Sequence, residues 1–144
     1  MADPFNLERF VDASALVSLA AQEEDALDLA GVLESDRARL TSPIALWETV
    51  AGLCRSHIFS AESARNRVKG LCDLFGLKIV GIGEREYDLA LQACAEFGQG
   101  RHPAALNMGD CFAYACARAH GAALLFKGED FSRTDVLMAR VGDL

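Results

Sequence analysis

The feature that most constrains this chain is a change of hydrophobic period repeated along its length. Short apolar runs of strand type give way, several times over, to longer stretches whose apolar residues recur every three or four positions, the spacing of one helix face. Leu7 to Val11 is the first predicted strand; it ends at Asp12, and a helix follows from Ser14, with a second helical pattern over Glu23 to Glu34. Leu40 to Ser42 is a second strand, and Pro43 suits the first turn of the next helix, where a missing N–H costs nothing; that helix runs to about His57. Ser60 is a good N-cap for a helix ending near Phe75, and Gly76 can take the left-handed conformation that stops it. A strand over Leu77 to Ile82 comes next, then a helix over Glu84 to Phe97 closed by Gly98, and a loop rich in Gly, Arg, His and Pro. The last predicted helix runs from about Met108 to His120, stops at Gly121 and leads into the strand Ala122 to Phe126. Strands alternating with helices imply βαβ units, and so an α/β fold with a central parallel sheet flanked by helices.

At 144 residues, with no repeat, low-complexity segment or dividing linker, the chain reads as a single domain over 1–144. Its 51% hydrophobic and 24% charged residues suit a packed core rather than disorder. The longest apolar runs, Ala13 to Ala21 and Pro43 to Trp47, fall far short of the about 18 to 20 residues that span a bilayer, so no membrane association is expected. Met1 to Arg9 carries Asp3 and Glu8 and lacks the basic-then-apolar order of a signal peptide. The five cysteines, Cys54, Cys72, Cys94, Cys111 and Cys116, sit within apolar helical patterns without C-x-x-C spacing and read as reduced core residues. Together these features predict a cytoplasmic protein. The net charge of −7 weighs against binding a polyanion, although Arg65, Arg67 and Lys69 form a basic group; a solvated helix face explains that group equally well.

In open parallel sheets, functional groups gather beyond the carboxyl ends of the strands. Four acids stand where solvent alone does not explain them. Asp12 directly follows an apolar strand, and the alternative reading is an N-cap. Glu48 has Ile44 and Ala51 on its own side of a helix, where an ionised carboxylate is costly unless it is paired or binds metal; the alternative is an edge position paired with Arg55. Asp110 lies in a first helical turn, favourable for an anion, and Ala113 and Ala117 are read as leaving room beside it; plain capping is the alternative. Asp130, in the loop Lys127-Gly128-Glu129-Asp130, is equally well an ordinary loop acid. His57 is open to two readings, a general base or an ordinary helix-end histidine.

Taken together, these segments resemble a known family. Phe10-Val11-Asp12-Ala13-Ser14-Ala15-Leu16, Ser42-Pro43-Ile44-Ala45-Leu46-Trp47-Glu48-Thr49 and Leu106-Asn107-Met108-Gly109-Asp110-Cys111-Phe112-Ala113-Tyr114-Ala115 resemble, in order and spacing, the three acidic motifs of VapC-type PIN-domain ribonucleases. Leu124-Leu125-Phe126-Lys127-Gly128-Glu129-Asp130-Phe131 is similar to that family's more variable fourth motif. Many members carry Asp or Asn a little earlier there, where this chain has Lys127 and Gly128.

The resemblance implies a three-layer PIN-like α/β fold and a metal-dependent endoribonuclease, the toxin of a toxin-antitoxin pair, using Mg²⁺ or Mn²⁺. It implies Asp12, Glu48 and Asp110 as metal-site and catalytic residues, Asp130 as a fourth, and Ser14 and Asn107 as supporting groups that are equally well turn or capping residues. It also implies an RNA substrate, a cognate VapB-type antitoxin and a homodimer, with the apolar helices around Trp47 and Phe59 as candidate contact surfaces. Hard cations such as Mg²⁺ take oxygen ligands, whereas His57, His102, His120 and the cysteines show no tetrahedral zinc spacing. Two alternatives belong to other classes: a catalytically inactive PIN-like binding module, and a receiver-like phosphoacceptor domain suggested by the acid after strand one and Lys127 after the last strand.

Overall fold

The computed structural model describes residues 8–100, 102–128, 131, 134–135 and 138–140. Its strands are β1 (Glu8–Val11), β2 (Ala38–Thr41), β3 (Lys78–Ile79), β4 (Ala123–Phe126) and β5 (Met138–Arg140). Its helices are α1 (Ala13–Ala20), α2 (Ala26–Ser35), α3 (Pro43–Ser56), α4 (Ala61–Phe75), α5 (Glu84–Phe97) and α6 (Met108–His120). The strands form one sheet in the order β3-β2-β1-β4-β5, and every neighbouring pair is parallel. Receiver-type folds follow the order 2-1-3-4-5, so the topology differs from that of a phosphoacceptor module.

Alternation along the strands builds the layers, because successive side chains point to opposite faces. Phe10, Leu124 and Phe126 face one way and pack with α5 and α6 through Ala90, Ala93, Cys111, Ala113, Ala115, Cys116 and Ala117. Val11 and Leu125 face the other way and pack with α1 and α2 through Leu16, Leu19, Leu29 and Leu33. A third cluster joins α1, α3 and α4 through Ala20, Leu53, Ala64 and Val68. The result is helix, sheet, helix in three layers. Beneath it Arg9, 5% exposed, forks onto Asp36, 6% exposed, with Nε and Nη2 donating at 2.9 and 3.0 Å, the paired geometry a buried charge requires.

The helix boundaries follow local chemistry. Ser42 caps α3 by accepting from the Ala45 N–H at 3.1 Å, with Pro43 in the first turn. Ser60 and Ser63 form a reciprocal capping box at α4. Gly76 and Gly121 end α4 and α6 at φ 61° and 60°, backbone that side-chain-bearing residues resist.

Several details depart from the sequence expectations. β2 runs from Ala38 to Thr41, starting two residues earlier than predicted and ending one earlier, because Ser42 is committed to capping. β3 is two residues long rather than six, an edge strand paired only through Leu40↔Lys78 and Thr41↔Ile79 and followed by Gly81 and Gly83. Glu23 and Asp25 lie in the turn between α1 and α2, not in a helix. β5, which was not anticipated, flanks β4. The cysteines are free but do not all lie in the core: Cys111 and Cys116 are buried, with thiols pushed by desolvation to about 11 and about 12, Cys72 is partly covered, and Cys54 and Cys94 are exposed. Among the described residues, no helix is long and apolar enough to cross a membrane.

Candidate active site

The sheet order reverses direction at β1, with β2 on one side and β4 on the other. This is the switch point at which the carboxyl ends of neighbouring strands open a crevice. Asp12 follows β1 there, and its N–H donates to the Leu125 carbonyl of β4 at 3.0 Å. Asp12 is 5% exposed. Its Oδ2 accepts from the Ser14 N–H at 3.1 Å and from the Ser14 hydroxyl at 2.6 Å. Asp12 therefore does cap α1, as the alternative reading had it, and the same hydrogen bonds set the direction of its carboxylate.

Glu48 reaches the crevice from α3. Burial raises its pKa above the ordinary carboxylate range, and the negative charge of Asp12 raises it further, while Arg55 opposes both. No ion pair between Glu48 and Arg55 occurs among the described residues, so the edge-pairing alternative reduces to a distant favourable charge. The Glu48 carboxylate rests against the backbone of Gly109 so closely that a Cβ built there would overlap all three carboxylate atoms. Gly109 is buried in the first turn of α6, the electropositive end of that helix.

Asp110 follows it. Its carboxylate accepts from the Asn107 N–H at 3.1 Å, and Asn107 Oδ1 accepts from the Asp110 N–H at 2.9 Å, a reciprocal capping box. Ala113 and Ala117, expected to leave room beside Asp110, are instead 3% and 0% exposed and belong to the core. The small residue that makes room in this region is Gly109, and the room is taken by Glu48. A glycine inside the first turn of a helix is the sequence signal for such a close approach.

Asp130 lies outside the described residues. Described residues that follow it are tied down: Phe131 packs edge-to-face on Phe126 at 5.0 Å, and the Tyr114 hydroxyl donates to Asp135, which also takes Arg118 Nη1 at 3.2 Å. Among the described residues, no group of three or more His, Cys, Asp or Glu side chains stands in ready-made metal-holding geometry. The donor chemistry nonetheless fits a hard divalent cation, which is typically held by one or two carboxylates and keeps its remaining positions for water and substrate. Asp12 and Glu48, two acids that repel one another beside a helix N-terminus, are such a pair.

The remaining candidates lie elsewhere. His57 caps the C-terminus of α3, and its Nε2 lies 3.2 Å from Glu23 Oε2, an ordinary helix-end role. In the basic group, Arg67 donates to the Ala20 carbonyl at 2.7 Å and lies over the Phe59 ring. Arg65 and Lys69 instead line a groove of about 670 Å³ between α3 and α4, with Trp47, Val50 and Ile79. Trp47 is 71% exposed, whereas Phe59 is partly buried with the exposed Ile58 beside it.

Known proteins match this arrangement. The PIN domain pattern covers residues 9–137. The chain is 37% identical over 130 residues to VapC ribonuclease Mb0640 of Mycobacterium bovis, covering 88% of this chain and 94% of the relative. It is 36% identical over 139 residues to VapC ribonuclease R02377 of Rhizobium meliloti, covering 88% and 98%. Among solved structures, VapBC2 from Rickettsia felis bound to a promoter DNA fragment superposes with a TM-score of 0.72 at 16% identity, covering 93% of this chain and 98% of that one. The sequence relatives establish kinship and the solved structure the same fold: the chain belongs to the PIN-domain family, in its VapC group.

Proposed function

We propose that this protein is a divalent-metal-dependent endoribonuclease and the toxin member of a VapBC-type pair. The observation that carries the reading is the Asp12–Glu48 couple, two carboxylates brought together by separate elements at the sheet's switch point, one of them with its pKa raised by burial and by the other. Structural ion pairs join opposite charges; joining like charges is costly unless a cation binds between them. The relatives' names point the same way, since those proteins are called ribonucleases.

In this reading Asp12 and Glu48 hold Mg²⁺ or Mn²⁺, with Asp110 and Asp130 completing the acidic pocket. The cation supplies Lewis acidity for hydrolysis of a phosphodiester. Ser14 keeps the Asp12 carboxylate in one orientation through two hydrogen bonds to the same oxygen. Asn107 holds Asp110 at the start of α6, and the N-terminal dipole of that helix offsets part of the negative charge. The open apolar face around Trp47 suits a protein partner, which in this reading is a VapB-type antitoxin or the second copy of a homodimer. The test is cleavage of a structured RNA by the purified protein. Cutting is expected with Mg²⁺ or Mn²⁺ and is expected to stop in EDTA; cutting that survives excess chelator would overturn the metal assignment, and no cutting with either metal would favour the inactive binding module.

Asp110→Asn gives a second check. Asparagine retains an acceptor for the Asn107 N–H, so the capping box survives and the melting temperature should change little. Cleavage should nonetheless fall by about 10- to 100-fold, the range seen when groups at or around a metal are altered. A destabilised variant that cuts at the wild-type rate would reduce Asp110 to a cap.

A further inference from the structure

Lys127, the first residue after β4, is gripped from two directions. Its ammonium is 3.0 Å from Glu23 Oε1 and 2.9 Å from Asp25 Oδ2, both in the turn between α1 and α2. Its backbone N–H donates to Ser14 Oγ at 2.9 Å. A serine hydroxyl that accepts from one partner directs its single proton to another, and here the proton goes to Asp12 Oδ2 at 2.6 Å. Next in the chain, Gly128 has φ +107°, so the backbone leaves the strand through a conformation that glycine adopts readily. Residue 127 is thus held at two points, by its side-chain ion pairs to the α1–α2 turn and by its backbone N–H on Ser14. Hydrogen bonding to Asp25 and Glu23 holds the ammonium above its ordinary pKa, and the Lys127 hydrogen bond holds Glu23 below its own, so Lys127 and Glu23 face each other as an ion pair around neutrality. Glu23 is steadied on its far side by His57 at 3.2 Å.

We propose that Lys127 is a positioning residue of the ribonuclease site: anchored by Glu23 and Asp25, it fixes the Ser14 hydroxyl and through it the orientation in which Asp12 meets the metal. The proposal rests on the metal-dependent reading above. It explains how a lysine serves in the stretch where many members' fourth motif carries Asp or Asn: the cation binds no metal and orients a group that does.

Two possible roles of Lys127 predict opposite signs. If the ammonium acted only through its field, removing it would tighten cation binding at the acidic site. If it acts by positioning, removing it loosens binding. Mn²⁺ titrated into metal-free protein, followed by calorimetry, separates the two without any activity assay. Lys127→Met is expected to raise the Mn²⁺ Kd by about 10-fold, the lower end of what lost outer-shell support costs a metal site. Ser14→Ala should weaken binding at least as much. In the Ser14→Ala background Lys127→Met should weaken it no further, because the path through the hydroxyl is already gone. Lys127→Arg, whose fork can bridge both carboxylates, should restore most of the affinity. The melting temperature should hardly move, since side chains 42%, 27% and 28% exposed make ion pairs of little net stability. Should Lys127→Met fold poorly, Lys127→Gln removes the same charge while keeping a polar end between Glu23 and Asp25, and should likewise weaken binding rather than tighten it. Unchanged or tighter Mn²⁺ binding by Lys127→Met overturns the proposal, as do losses that multiply in the double variant. Wild-type protein that binds no Mn²⁺ overturns the metal reading itself, a result distinct from a wild-type site that binds normally and ignores Lys127.

Discussion

Glu48→Gln should abolish RNA cleavage, by about 100-fold or more, while making the metal-free protein more stable at neutral pH. The two halves have one cause. Glu48 is partly desolvated and faces the charge of Asp12, so its ionised form is disfavoured in the folded state relative to the unfolded chain. Glutamine has the same shape without the charge, and it removes both a metal ligand and a source of repulsion.

The pH dependence follows from the direction of the shift. A carboxyl whose folded pKa is raised adds stability while protonated, fully so below its ordinary value of 4.5, and that stability is lost as pH rises through the raised folded value. In EDTA, the melting-temperature advantage of Glu48→Gln over wild type should therefore be present at pH 7 to 8 and vanish as pH falls below about 4.5. Added Mg²⁺ should reverse the order, raising the wild-type melting temperature through binding to the native state and raising that of the variant much less. Thermal melts in EDTA at several pH values, then with Mg²⁺, check each step. A variant less stable than wild type in EDTA at pH 7.5 would make Glu48 a structural residue with a favourable partner, and retained cleavage would remove it from the chemistry.

Glu48 was legible in the sequence because its neighbours were apolar, and Asp12 because it ended a strand. Both signals are local, as are those that placed α4 and α6: a cap at one end, a glycine at the other and an apolar stripe between. What escaped depends on which elements meet in space. β3 lost most of its expected length because an edge strand has one neighbour and β2 offers it only Leu40 and Thr41. Cys54 and Cys94 sit in apolar-looking helical patterns but on faces that nothing covers. Glu23 and Asp25 looked helical, yet their use is to hold Lys127 across about 100 residues of chain, and no window of sequence contains that pairing. Ala113 and Ala117 read as leaving room beside Asp110, but they are buried, and their small size lets α6 pack in the core.

Gly109→Ala should silence the enzyme without unfolding it. The Gly109 backbone is ordinary helix and lies outside the positive-φ glycines, so alanine suits the conformation. Space is the obstacle, since the new methyl group would occupy the volume of the Glu48 carboxylate. That carboxylate is the far end of a flexible side chain, and a rotamer change relieves the overlap at less cost than moving α6. Two terms then offset the cost: helical alanine is favoured over glycine by roughly 0.5 to 1 kcal/mol, and Glu48 escapes a site that disfavours its charge. The metal-free melting temperature should therefore stay level or rise slightly, while cleavage falls nearly as far as in Glu48→Gln. Because both changes act on the same carboxylate, they should not be additive: Gly109→Ala in the Glu48→Gln background should lose almost no further activity. In the Glu48→Ala background, where no carboxylate remains to be displaced, Gly109→Ala should be plainly stabilising. A Gly109→Ala protein that cuts RNA at the wild-type rate would show that Glu48 does its work from somewhere other than the first turn of α6. A large drop in melting temperature would show that the helix, rather than the side chain, had given way.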